Sequence, residues 1–143
     1  MTPVIACVAS TDTCQTVTDF GTAQMLAGSM RGGDLNENWC APEVLLNQPY
    51  DLKADVYSFG IILWELLQIG FPFAEYAADW SGKPTSDFGA AVQKGLRPSI
   101  PSHVPTGYSE LIQVCWQSDP QKRLNFCEII ELFPSLYAQA TKR

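Results

Sequence analysis

The sequence predicts a mainly α-helical single domain, opened by a short β-hairpin and packed around one buried helix over about 52–69. Three observations carry that prediction. Strand-like alternation is confined to the first eighteen residues, whereas helix signals fill everything after Pro42. Between them, from Gly21 to Asn38, periodicity vanishes while Gly28, Gly32, Gly33 and polar residues accumulate, as in a long functional loop. Finally, the run DVYSFGIILWELL, with the residues just before it, places Ala54, Val56, Phe59, Ile61, Ile62, Leu63, Leu66 and Leu67 around nearly the whole helical circumference. A helix apolar on all sides must be enclosed by protein.

The elements follow in order. Val4 to Ala9 reads as a strand, STDT as a turn and Cys14 to Thr18 as a second strand, giving a hairpin over 4–18. APEVLL is a short helix with Pro42 suited to its first turn. Asp51 caps the axial helix and Gly70 stops it. Asp55 and Glu65, charges on a buried element, each require a partner. Ser86 caps a helix ending before Gly95, and Tyr108 to Ser118 forms another, closed by Asp119-Pro120. Asn125 and Glu128 make a capping box for a last helix from Phe126 to about Tyr137, which Pro134 is expected to bend or break.

Composition narrows the function. The chain has 143 residues, 46% of them apolar, so it can bury a core of domain size. Its net charge is −6, with only nine Lys and Arg scattered along it, which argues against nucleic-acid and anionic-membrane partners. Val56 to Ile69 is too short to span a bilayer, and the N-terminus carries no basic leader, so neither a membrane span nor a signal peptide is expected. Cys7, Cys14, Cys40, Cys115 and Cys127 form an odd set without a C-x-x-C pair. They read as reduced, mostly buried thiols of a cytoplasmic protein rather than as a disulfide framework or zinc site.

Several motifs stand in one register. Asp19-Phe20-Gly21 is followed by Trp39 and Ala41-Pro42-Glu43, then by Asp55 to Leu67, then by CWQSDPQKRL from Cys115 to Leu124. The series resembles the C-terminal lobe of a eukaryotic protein kinase, of the tyrosine-kinase-like group and its Roco-type relatives, over Thr18 to about Phe133. The resemblance implies one partial kinase domain across 1–143, with an activation segment at 19–43 and a helical lobe at 42–139. It implies that Asp19 holds a magnesium ion bridging the phosphates of ATP, with Phe20 and Gly21 completing the cofactor-binding turn. Glu43 is matched to the glutamate that pairs with a late arginine, here Arg123, and Asp55 to the aspartate that braces the catalytic-loop backbone. Trp116 and Trp64 read as core. Thr22 and Ser29 are the only hydroxyl residues between Gly21 and Glu43, hence the only candidates there for regulatory phosphorylation; a solvated loop residue is the blander reading of Ser29.

Within these residues the pattern is incomplete. No G-x-G occurs, no lysine precedes Asp19, and the only histidine, His103, lies in a proline-flanked loop. The glycine-rich loop, strand lysine and catalytic base of a kinase are therefore missing from the chain, so no catalytic residue is assigned and the isolated chain is expected to be inactive. Aligning Thr2-Pro3-Val4 with the end of a catalytic loop would put Val4 where the second magnesium ligand belongs. Leu124 follows Arg123 where relatives usually have proline. SGKPTS lacks the glycine of a phosphate loop and reads as a surface turn. Two functions follow: part of a Ser/Thr-type kinase acting on a protein substrate, or a kinase-derived module that regulates a partner by association through an exposed apolar upper face.

Overall fold

The computed structural model describes residues 8–11, 14–17 and 36–140. Its first elements are two antiparallel strands, β1 (Val8–Thr11) and β2 (Cys14–Val17), in the register Val8↔Val17 through Thr11↔Cys14. The hairpin was expected, but its strands are placed differently. Ser10 and Thr11 continue β1 instead of turning, pairing with Gln15 and Cys14. β-branched Thr11 favours the pleat. Residues 4–7 and 18, the rest of the expected hairpin, lie outside the described residues.

The described residues after Asn36 are all helix and loop. A 3-10 turn at Glu37–Trp39 leads into α1 (Pro42–Leu45), with Pro42 at its first position as the sequence predicts. The axial helix is α2 (Lys53–Gln68). Asp51 caps it in effect, since its Oδ1 accepts the Lys53 N–H at 2.8 Å. Ala54, Val56, Tyr57, Ser58, Gly60, Ile61, Leu63 and Trp64 are buried.

The expectation of all-round burial fails in the last turn of α2, where Leu66 is 66% exposed. The expected glycine stop also fails: Ile69, not Gly70, takes the left-handed cap conformation at φ 52 and ψ 46. The carbonyl of Glu65 needs an amide donor there, and Ile69 N–H supplies it at 2.8 Å.

A second 3-10 turn at Ala74–Tyr76 and the single-turn α3 (Ala77–Trp80) were not foreseen, because four residues carry no readable period. The next helix, α4 (Thr85–Gln93), starts one residue before the Ser86 cap expected for it; Pro84 holds the cap position with no side-chain bond. α5 (Thr106–Cys115) starts and stops earlier than predicted, and Asp119 instead caps a 3-10 turn at Pro120–Lys122 through the Gln121 N–H.

The capping box forms as read. Asn125 Oδ1 accepts from the Glu128 N–H at 3.0 Å, and Glu128 Oε2 accepts from the Asn125 N–H at 2.7 Å. Pro134 does not end α6 (Phe126–Ala140). Ile129 and Leu136 are buried and Phe133 packs on the core, and this apolar contact on both sides of the proline offsets the lost backbone bond.

α2 and α5 cross closely enough that a Cβ on Gly60 would stand 2.8 Å from the Cys115 Cβ. α1 and α4 meet in the same way, with Gly89 against Leu45 Cβ at 2.8 Å. Trp39, Tyr57, Ile61, Phe88, Ile112, Trp116 and Ile129 belong to one continuous core around α2.

Candidate functional site

The site is built where α1, the start of α2 and the loop before α6 converge. Pro42 directs α1 inward, so Glu43 is 4% exposed, and the 3-10 turn after Asp119 delivers Arg123 to it, 2% exposed. The two guanidinium nitrogens of Arg123 donate to the two carboxylate oxygens of Glu43 at 2.6 and 2.8 Å. This fork-on-fork geometry is the strongest ion-pair arrangement two side chains make. The remaining donors of Arg123 reach backbone carbonyls of Lys53 at 2.9 Å, Gln117 at 2.7 Å and Ser118 at 3.3 Å. Lys53 Nζ returns a bond to the Arg123 carbonyl at 2.5 Å. One residue thus ties three segments together, and its charge is matched inside the core.

Sequence reasoning missed what lies beneath the pair. Tyr57 is wholly buried with Arg123 and Arg97 stacked on its ring, their guanidinium carbons 5.2 and 5.1 Å from the ring centre. Burial pushes the Tyr57 phenol up to about 12, and its hydroxyl has no hydrogen-bond partner among the described residues. Arg97 is held by carbonyls of Val92, Leu96 and Trp116 and by the Ser118 hydroxyl, and among the described residues no carboxylate meets it. Burial lowers its pKa. No local pattern marks an arginine that serves carbonyls.

Asp55 sits in the first turn of α2, half-buried, and its Oδ1 is closed to solvent with no partner among the described residues. Burial raises its carboxyl to about 6. Glu65, the other charge on the axial helix, has its partner: Trp39 Nε1 donates to Glu65 Oε2 at 2.9 Å. Ser58 Oγ donates to the Trp39 carbonyl at 2.7 Å. The residues just before Ala41-Pro42-Glu43 are thereby fastened to α2 at two points. Trp116 and Trp64 are 5% and 4% exposed, and Trp64 Nε1 donates to the Ser99 carbonyl at 2.8 Å.

Asp19, Phe20, Gly21, Thr22, Ser29 and Val4 lie outside the described residues. Among the described residues no group of three His, Cys, Asp or Glu side chains converges as a metal site. No helix among the described residues is long and apolar enough to cross a membrane.

Residues 6–133 match the family model described as protein tyrosine and serine/threonine kinase. The chain belongs to the protein kinase family. It is 43% identical over 122 residues to the serine/threonine-protein kinase STY17 of Arabidopsis thaliana, covering 84% of this chain and 20% of that protein. It is 41% identical to the dual specificity protein kinase shkD of Dictyostelium discoideum, over 80% of this chain and 15% of that protein. With the probable serine/threonine-protein kinase roco5 of the same organism it shares 40% identity, over 79% of this chain and 4% of that protein. The chain thus spans about a fifth or less of the length of these relatives. Kinases of this family use ATP and magnesium and act on proteins.

Proposed function

We propose that this chain is the helical rear part of a Ser/Thr-type protein kinase domain, organised over 1–143 as one partial domain. Completed by the upper parts of such a domain, it transfers the γ-phosphoryl group of ATP to a protein hydroxyl. The observation that carries this reading is the buried Glu43–Arg123 pair. It anchors the helix that closes the segment expected to begin at Asp19, and so gives that segment a fixed end. In this proposal Asp19 holds magnesium, Phe20 and Gly21 shape its turn, and Thr22 and Ser29 are the phosphorylation candidates of the segment. The protein works in the cytoplasm, and the isolated chain does not catalyse because these residues include no catalytic base.

The test has two arms. The purified chain should give only background in ATP-hydrolysis and peptide-phosphorylation assays. Fusing the upstream part of the STY17 kinase domain to it should produce turnover that Asp19→Asn abolishes. Robust turnover by the isolated chain, or a folded fusion indifferent to Asp19→Asn, would overturn the proposal.

A second reading, a regulatory module that docks on a partner, is favoured by Asp55. Its inward oxygen lacks a donor among the described residues, at a place where the family resemblance implies a backbone segment to receive it. A partner that covered this end of α2, together with an apolar upper face, would satisfy it.

A further inference from the structure

A cavity of about 90 Å³ opens beside the 3-10 turn at Glu37–Trp39, walled by Phe71, Phe73, Trp80 and Phe88, with Glu37 and Lys83 in its polar lining. That is the space of about three waters, far below the roughly 300 Å³ at which drug-sized pockets begin. It suits the end of a side chain or a small head group.

The large walls are all aromatic, and they stand steeply to one another. Phe73 and Phe88 meet at 85° with centroids 5.2 Å apart, and Trp80 and Phe88 at 67° and 5.7 Å. Phe73 is held there against the preference of its own backbone. Its φ is 61, in the left-handed region that bulky residues rarely enter, yet its ring is only 3% exposed. Backbone strain of this kind collects at ligand clamps. Phe71 is 58% exposed, so one wall is open to an incoming group.

Charge gives the cavity its sign. Lys83, an exposed side chain, rests its ammonium over the Trp80 ring at 4.9 Å, so that ring attracts a cation. Glu37 lines the same space. One of its oxygens accepts from the Thr85 hydroxyl, and the other has no partner among the described residues. The net charge of −6 adds a background that favours cations. A plain ammonium or a guanidinium brings several N–H donors, most of which a cavity walled by rings would leave unsatisfied. A methylated ammonium keeps the charge with few donors or none, and aromatic faces with one carboxylate meet its needs.

We propose that this cavity is an aromatic cage for a methylated ammonium head, as on trimethyl-lysine or choline, with Lys83 as the resident cation that the ligand displaces. The methyl groups lie against the four rings, and the Glu37 carboxylate faces the charge. The cage does not depend on phosphoryl transfer, and its test contains no nucleotide.

Fluorescein-labelled Gly/Ser peptides carrying one trimethyl-lysine or one unmodified lysine are titrated with the whole chain and read by polarisation. The trimethyl-lysine peptide should bind about tenfold more tightly. Choline should displace it, whereas the uncharged analogue of choline with carbon in place of nitrogen should need about tenfold more. Displacement by choline below the dissociation constant of the peptide would name a free head group as the ligand, and weaker displacement a modified protein; either supports the cage. Phe71→Leu keeps an apolar wall without the ring, and Glu37→Gln keeps an acceptor for Thr85 without the charge. Each should weaken the trimethyl-lysine peptide about fivefold. Lys83→Gln withdraws the competing cation and should tighten binding about threefold. All three positions are exposed, so the melting temperature should hold in each variant. Equal binding of the two peptides, equal displacement by choline and its carbon analogue, affinity unchanged in Phe71→Leu and Glu37→Gln, or looser binding in Lys83→Gln would each overturn the proposal.

Discussion

Removing both partners of the Glu43–Arg123 pair should cost no more than removing one. Arg123→Met leaves the Glu43 carboxylate inside the core without the two donors that now meet its oxygens, at a site 4% exposed. Stranding a buried charge costs about 3–5 kcal/mol, and the upper half of that range is expected here. Glu43→Gln is milder, about 3 kcal/mol, because Arg123 keeps its three carbonyl partners and gains a neutral amide oxygen. In Glu43→Met with Arg123→Met no charge is stranded. What remains is the loss of donors to the Lys53, Gln117 and Ser118 carbonyls, about 1 kcal/mol apiece. The double variant should therefore lose about 3 kcal/mol, well short of the sum of the single losses. Urea unfolding followed by far-ultraviolet circular dichroism and tryptophan fluorescence measures each variant, with Glu43→Met alone completing the cycle. A strictly additive double variant, or a Glu43→Gln loss below about 1 kcal/mol, would refute the account of a dry, interdependent pair.

Three further outcomes follow from the same structure. Because burial raises the Asp55 carboxyl to about 6, the folded chain binds a proton there more tightly than the unfolded chain, and this contribution to stability is lost as pH rises from about 4 to 6. Asp55→Asn should thus stabilise the isolated chain at pH 7 by on the order of 1 kcal/mol, a figure discounted for the solvent that reaches the half-buried carboxyl. It should have little effect at pH 4, as read by urea midpoints at the two pH values. Ile69→Gly should raise stability by up to about 1 kcal/mol in a thermal melt, since it relieves a left-handed isoleucine that is 93% exposed. Gly60→Ala should lower it by about 1–3 kcal/mol, because the added methyl would meet the Cys115 Cβ at 2.8 Å and force α2 from α5.

Elements with a chemical start or a sustained period were legible in the sequence. The Asn125–Glu128 box opened α6 at the predicted residue, and α2 ended within a residue of prediction at both ends. Composition alone overstated the burial of α2, because apolar character around a helix does not say which face its neighbours leave open; Leu66 is exposed while Leu67 still packs on the core. Pro134 shows the reverse error, a strong local signal overruled by packing on either side.

The Glu43–Arg123 contact spans 80 residues and could be expected only through the family resemblance, as no local pattern links its members. The Trp39–Glu65 bond and the place of Arg97 among carbonyls were invisible for the same reason: tertiary acceptors leave no periodic trace. The expected metal-holding turn at Asp19 lies outside the described residues.

The tight crossing of α2 and α5 also governs the sulfur chemistry of the domain. Cys115 lies against Gly60 at that crossing and is 0% exposed, while Cys40 is 2% exposed. Burial, aided at Cys40 by Glu37, pushes both thiols up to about 12, so neither supplies the thiolate that peroxide and alkylating reagents attack. Cys127 instead faces solvent. Of these three sulfurs, Cys127 takes up reagent at once, whereas the other two wait until the axial helix lifts from its neighbours. Their slow labelling is a built-in clock for the opening of the interior.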